Sequence, residues 1–504
     1  MKKKAGINII VSLITQFVTI ICGLIVPRLL LKAFGSEVYG ASASIMQFLS
    51  YIALLEGGIG GVARAALYKP LAKNDNESIS KIVKYLQKFF LYIGLIFIIY
   101  VLIVASCFRF ISNFNELDYI STFLLVIVIS ISTMGQYFIG ISYAILLQSD
   151  QKAYISNIAS IITLIINTVI IVILINMNCN IIIVKLFSSL IFIIRPLIMM
   201  LYVKRNYNLI KVKIDKSEKM LEDKWTGLGQ HIAYFIHSNT DIIVLTTFSS
   251  LINVSIYSVY YMVTSHMQNL ISSFGTGMEA VFGSLYAKKE INKLKNIFDL
   301  YDTLISYVCI ILFSTTAIVI VPFITLYTKS ITDANYIQPF FGLLMVISSI
   351  IFIMRIPYHN LVIASGKFKQ TKIAAYGEAI LNILISIILV KSVGLIGVAI
   401  GTLVAILFRF IYYVFYLSNN IMMRDISVFL KRFIINSITI LGTIIIGYYI
   451  IKIFDINNYF IWCIVSIIMI GMSTIITSII YWFFYKQDMK KIIELVKERL
   501  CIKK

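Results

Sequence analysis

Charge is scarce in this sequence: only 13% of its 504 residues are Asp, Glu, Lys or Arg, against roughly 25% in a soluble protein. That shortage excludes an ordinary water-soluble globule, because 60% of the residues are hydrophobic and the mean hydropathy is +0.92. Cysteine is sparse as well. Cys22, Cys107, Cys179, Cys309, Cys463 and Cys501 are scattered, with no CxxC and no histidine pair beside them, so they read as small apolar residues and not as redox or metal groups. There is no GxxxxGK[ST] phosphate cradle and no glycine-rich nucleotide fingerprint, so the chain is not expected to hydrolyse ATP itself. The short alternating segments of a membrane β-barrel are missing too.

What is there is apolar block after apolar block. Crossing the hydrocarbon takes about 20 apolar residues as a helix, and lipid offers no water to backbone groups, so such blocks must be helical. Reading between charged or polar breaks gives fourteen spans, near 6–31, 40–67, 86–107, 119–147, 153–175, 181–203, 226–250, 254–286, 303–326, 337–365, 372–391, 395–418, 433–451 and 459–483. The longer ones must tilt, bend or protrude. The opening Met1-Lys2-Lys3-Lys4 has the charge of a signal-peptide start. The apolar stretch from Ala5 to Leu31 is too long for one, and no small-residue cleavage site follows, so it is expected to stay as a first span.

The net charge of +21 would suit nucleic acid if it were clustered, but it is dealt out between the blocks. With the N-terminus inside, the inner segments hold 33 Lys/Arg, the outer loops 5, and six lie within spans. This positive-inside bias implies an even number of spans and two cytoplasmic termini. Every outer connection is short, and the longest inner one, about 204–225, is too small to be a domain. The action is therefore expected inside the membrane.

The chain also matches itself at an offset of 218 residues. Identities fall at Tyr39/Tyr257, Gly57/Gly275, Leu67/Leu285, Tyr68/Tyr286, Asn74/Asn292 and Ile79/Ile297, and the hydrophobic register and loop charges repeat with them. Two units of six helices both begin inside, so they are parallel repeats, with spans 13 and 14 added. The expected organisation is an N-lobe over 1–205, a basic cytoplasmic linker over 206–225, a C-lobe over 226–420, and two further helices with a basic tail over 421–504. The fold class is an all-α polytopic membrane protein.

Val26-Pro27-Arg28-Leu29-Leu30 with Phe34-Gly35-Ser36-Glu37-Val38-Tyr39-Gly40, and Asn239-Thr240-Asp241-Ile242-Ile243-Val244-Leu245 with Val254-Ser255-Ile256-Tyr257-Ser258, resemble the polysaccharide-biosynthesis flippases. These are the Wzx-type O-antigen and capsule-repeat transporters of the multidrug/oligosaccharidyl-lipid/polysaccharide (MOP) superfamily. The resemblance spans the whole chain. It implies a flippase in the bacterial inner (plasma) membrane, working by alternating access for O-antigen, capsule or teichoic-type export, without enzyme activity or cofactor. Its cargo would be an undecaprenyl-pyrophosphate-linked oligosaccharide, with membrane lipids and other polysaccharide-assembly proteins as partners and no nucleic acid. Pyrophosphate and glycan cannot cross hydrocarbon unaided.

An ionisable residue at a span centre costs roughly 2.5–3.5 kcal/mol on insertion scales, so each needs a reason. Arg355 and Arg409 lie near the middle of spans 10 and 12. Two roles stand open for them: lining a cavity for pyrophosphate, which a guanidinium fork suits, or a structural ion pair with an acid on a neighbouring helix. Snorkelling to a span end fits Lys185 and is open for Arg28, Arg64 and Arg195. The resemblance implies that Arg28 and Arg64 serve the cargo, since related lipid-linked-sugar flippases use arginines on helices 1 and 2. Relatives that flip the peptidoglycan precursor also offer an arginine from helix 8, where this chain carries Glu279 instead. Asp241, with Asn239 near it, is the candidate for coupling to a Na+ or H+ gradient, oxygen being the ligand of hard cations. Its alternative is an ion pair, and Glu56 and Glu279 share that ambiguity. His231, His237, His266 and His359 lack metal-site spacing and read as polar helix contacts. Gly57-Gly58-Ile59-Gly60-Gly61, with Gly275 and Gly277, would permit close helix approach or bending.

The main rival is a cation-coupled multidrug antiporter of the same superfamily, which would want an acidic pocket in an otherwise uncharged cavity. Six Lys/Arg within spans lean towards an anionic cargo instead. A membrane polysaccharide polymerase or ligase would need a sizeable outer loop, which is missing. A structural scaffold would leave the buried charges unexplained.

Overall fold

The computed structural model describes residues 2–210, 228–275 and 277–501. Among them there is no strand, and each apolar block folds as helix. Clustering divides the chain into two compact units, 1–258 and 259–504. The linker expected at 206–225 falls mostly outside the described residues.

The first unit opens with α1 (Lys2–Ser50), which runs through Pro27 and breaks at Gly35, where φ is 79° and ψ is 172°. A 3-10 turn at Tyr51–Glu56 and the left-handed pair Gly57 (φ 60°) and Gly58 (φ 80°) then lead into α2 (Ile59–Lys73). The expected span at 40–67 is thus two helices joined by irregular backbone. Without a Cβ, glycine takes positive φ that other residues avoid. The first turn of α3 (Asn76–Ser112) is capped by Asp75, whose carboxylate accepts the Ser78 hydroxyl at 2.7 Å and the Ser78 amide at 3.1 Å. Those bonds hold the Asp75 carboxyl below its usual pKa.

α4 (Tyr119–Gly135) passes through a π-helical turn at Gln136–Gly140 into α5 (Ile141–Ser149). Then come α6 (Ala153–Asn176), α7 (Ile181–Asn206), α8 (Leu228–Phe248) and the start of α9 (Leu251–Ser272). α3 buries Leu86, Phe90, Phe97, Val101 and Phe108 and exposes Leu95, Ile99 and Ile103. A helix apolar on both faces belongs in lipid. α1 meets α9 so closely at Gly40 that an added Cβ would sit 1.9 Å from the Leu251 carbonyl oxygen.

The second unit continues with α10 (Met278–Ala287), α11 (Ile291–Tyr327), α12 (Pro339–Ala364), α13 (Phe368–Val393) and α14 (Leu395–Leu417). A π-helical turn at Ser418–Met422 precedes α15 (Ile426–Ile451), α16 (Tyr459–Phe484) and α17 (Lys486–Cys501). α11 is its axis, packed by α12, α15 and α16. Polar contacts bind the added helices to it: Tyr307 and Ser478 hydroxyls meet at 2.7 Å, and the Trp462 indole donates to the Val319 carbonyl at 3.1 Å. In lipid, where burial of apolar surface drives little, such contacts and small residues hold helices together.

The duplication reappears in the order of elements. The break at Gly35 has its counterpart between α8 and α9, and the turn at 51–58 has its counterpart at the 3-10 turn Ser273–Gly275 before α10. α3 and α11 both run 37 residues, and α4–α5, α6 and α7 are answered by α12, α13 and α14. Eleven helical runs among the described residues are long and apolar enough to cross a membrane, the first covering Gly6–Glu56. α8 and α9 are not among them. Residues such as Asn239 and Asp241 on α8, and Asn253 and Gln268 on α9, make them polar, and the polarity has a use.

Candidate functional site

In the first unit the polar stripe of α8 faces the second half of α1. Gln47 donates through Nε2 to the Asn239 side-chain carbonyl, whose own amide donates to the Phe235 carbonyl at 2.7 Å. The Ser44 and Thr246 hydroxyls meet at 2.6 Å. Asp241 is buried, 6% exposed, and accepts the Tyr257 hydroxyl at 2.8 Å. The sequence-expected residues Asn239 and Asp241 thus each find a hydrogen-bond partner in this unit, Asn239 at Gln47 of α1 and Asp241 at Tyr257 of α9. Such groups suit a hard monovalent cation or a proton. Among the described residues no three His, Cys, Asp or Glu gather as a transition-metal site.

Glu56 ends the 3-10 turn and accepts the Tyr137 hydroxyl at 2.6 Å, from the π-helical turn after α4. Two irregularities, one in each helix, thus meet through a side chain. Arg64, on α2, donates to the Gln148 side-chain carbonyl at 3.1 Å; that contact is with a neutral group and cancels none of its charge. A Cβ at Gly58 or Gly61 would meet nothing within 4 Å, and one at Gly60 would meet only the Arg64 guanidinium, at 4.0 Å. This glycine run bends the chain at Gly57 and Gly58 and leaves open space around Arg64. Of the two roles expected for it, bending is the one seen here, whereas close approach occurs at Gly275, where a Cβ would fall 2.4 Å from the Tyr301 hydroxyl. Non-helical backbone at membrane depth is tolerated where protein buries it or a water-filled cavity bathes it. Arg28 is half-buried on α1, one residue past Pro27, and Arg195 donates to the Ser156 hydroxyl at 3.2 Å.

The second unit assembles a different group. Arg355 of α12 and Arg409 of α14 both reach the Glu378 carboxylate of α13, one guanidinium on each oxygen. Arg355 is 5% exposed, Arg409 2%, and Glu378 is sealed. The Arg409 Nε donates to the Tyr413 hydroxyl at 2.9 Å, and the Tyr413 ring stacks on His359. Of the two roles weighed for Arg355 and Arg409, this geometry is the ion pair, since a buried carboxylate takes both guanidiniums. Sequence reasoning passed over Glu378. Its signal was present, a lone acid inside span 11, but its partners depend on helix rotation. Glu279 stands apart, exposed in the first turn of α10 behind the left-handed Gly277 (φ 99°). His359 makes the polar contact expected of it, while the side chains of His231 and His237 lie outside those described.

A second polar network was also passed over. Arg424 donates to Asp299 at 2.6 Å, and Arg432 donates to Asp302 at 3.1 Å and stands 3.6 Å from Asp488. Thr303 donates to Asp488 at 3.0 Å. Arg424 and Arg432 are among the Lys/Arg counted to the inner segments. They also tie α15 and α17 to α11.

No family model matches the chain, and no curated protein sequence does. Its structure does have likenesses. The lipid II flippase MurJ, in an inward closed conformation, superposes with a TM-score of 0.68 at 18% identity, over 95% of this chain and 99% of that one. An inward-facing multidrug resistance MATE family transporter of the MOP superfamily gives 0.60 at 15% identity, over 81% and 98%. The MATE multidrug transporter DinF-BH gives 0.58 at 16%, over 84% and 97%. The chain is thus an all-α, multi-pass membrane protein. Its fold is the one these flippase and MATE structures share.

Proposed function

We propose that this chain is a flippase that carries an undecaprenyl-pyrophosphate-linked oligosaccharide from the cytoplasmic to the outer leaflet of the bacterial plasma membrane, by alternating access and with both termini inside. The observation that carries the reading is extent. The flippase structure covers 95% of the chain, which cannot be reached with both α15 and α16 left out, whereas the MATE structures stop at 81–84%. The intramembrane charge agrees with an anionic cargo. Arg64, in open space with a neutral partner, and Arg28 are the groups we assign to the pyrophosphate, for which a guanidinium offers paired donors and a permanent charge. Arg355 and Arg409 serve as a staple of α12, α13 and α14. The polyprenyl tail stays in lipid throughout, and no covalent chemistry is required of the protein.

The buried Asp241, with the Tyr257 hydroxyl on its carboxylate, favours a second reading in which a Na+ or H+ gradient drives a multidrug antiporter. The same carboxylate would equally couple a flippase to that gradient. Depleting the protein from its cell separates the two. A flippase leaves lipid-linked oligosaccharide stranded on the inner leaflet and surface polysaccharide lost, whereas an antiporter leaves both intact and sensitises the cell to cationic drugs.

A further inference from the structure

The last helix, α17, takes no part in the reading above, and its surface is unlike the rest of the molecule. It begins two residues after α16 ends. The end of α16 is marked by Trp482, Phe483 and Phe484, which are 45%, 80% and 49% exposed. Exposed aromatics at a span end sit at headgroup level. The first turn of α17 is pinned at that depth, because Asp488 takes the Thr303 hydroxyl and stands beside Arg432, and Met489 is buried. α17 thus starts at the membrane surface.

The outward face of α17 is set by spacing. At about 100° per residue, Lys486, Lys490 and Lys497 fall within about 40° of one another, with Ile493 about 20° to one side of them. All four are exposed, Ile493 by 38%. A lysine stripe edged by an exposed isoleucine, on a helix that starts two residues after an aromatic span end, is suited to the boundary between headgroups and acyl chains, where the isoleucine sinks and the ammonium groups stay among phosphates. Each Lys near an anionic membrane surface contributes on the order of 1 kcal/mol. We infer that α17 is an anionic-lipid docking helix, binding phosphate-bearing headgroups of the leaflet at which α16 ends through Lys486, Lys490 and Lys497.

The inference is independent of what the protein transports. The full chain would be placed in nanodiscs of phosphatidylcholine alone and of phosphatidylcholine with phosphatidylglycerol, and backbone hydrogen exchange followed over 486–497. The expected result is exchange several-fold slower with phosphatidylglycerol, restored to the phosphatidylcholine rate by added salt and by the triple variant Lys486→Gln, Lys490→Gln, Lys497→Gln. These are surface positions, so the variant folds, which unchanged exchange in α11 would verify. Equal exchange in the two lipids would overturn the inference. So would protection that ignores lipid charge and survives the triple variant, since that would mean α17 is held by protein.

Discussion

The guanidinium of Arg409 lies against the carboxylate of Glu378 with both side chains all but sealed from solvent, 2% and 0% exposed. Arg355 takes the other carboxylate oxygen. Removing one partner of a buried ion pair costs about 3–5 kcal/mol, because a charge is left without its counterpart. Glu378→Ala strands two guanidiniums, so it should lower the detergent-solubilised protein's melting temperature more than Arg355→Ala or Arg409→Ala. Replacing all three by apolar residues should recover much of the loss. Unchanged melting in Arg355→Ala and Arg409→Ala, with transport per molecule abolished, would return both arginines to the cargo.

Arg64 should behave in the opposite way. It is half-buried and rests on Gln148, so Arg64→Ala should leave abundance and melting close to wild type, within about 0.5 kcal/mol. A charge-assisted hydrogen bond to cargo is worth about 1.5–3 kcal/mol, so translocation should fall roughly tenfold to a hundredfold. Arg64→Lys should recover part of it, since a point charge replaces the fork.

Helix proximity gives a test that needs no transport assay. Gly40→Ala drives a methyl to 1.9 Å from a backbone oxygen, whereas a Cβ at Gly442 meets nothing within 4 Å. Overpacking of this kind costs about 1–3 kcal/mol. Gly40→Ala should lower the melting temperature, and Gly442→Ala should not.

Charge asymmetry predicts that 68–85, 204–224, 286–302 and the C-terminus face the cytoplasm. Single cysteines placed there should resist an impermeant thiol reagent in intact cells and react once the membrane is opened. Labelling of 204–224 from outside would contradict this orientation.

Block length and loop charge made the helices legible in advance, and each of the fourteen expected segments has a helical counterpart. The breaks within two of them did not show. Gly57-Gly58 and Gly277 are visible as glycines, but a glycine permits the positive φ that stops the helix without requiring it. The site was half legible. Depth along the chain singled out Arg355, Arg409 and Asp241 as costly residues. Facing was hidden, because one residue turns a helical side chain by about 100°. Glu378 therefore went unmatched with its arginines, and Tyr257 with Asp241. The ion pairs of Arg424 and Arg432 were hidden for a different reason: a basic turn satisfies the topology rule whether or not Asp299, Asp302 and Asp488 stand on neighbouring helices.

The central claim is that the cargo is a lipid-linked, anionic glycan. Its most direct test is reconstitution of the purified protein into vesicles carrying a fluorescent undecaprenyl-pyrophosphate-linked oligosaccharide, with leaflet exposure read by an impermeant quencher. Protein-dependent movement between leaflets is expected, strongly reduced by Arg64→Ala and preserved in the Lys486→Gln, Lys490→Gln, Lys497→Gln variant. No movement of the labelled lipid, together with gradient-driven export of a cationic dye by the same vesicles, would contradict it.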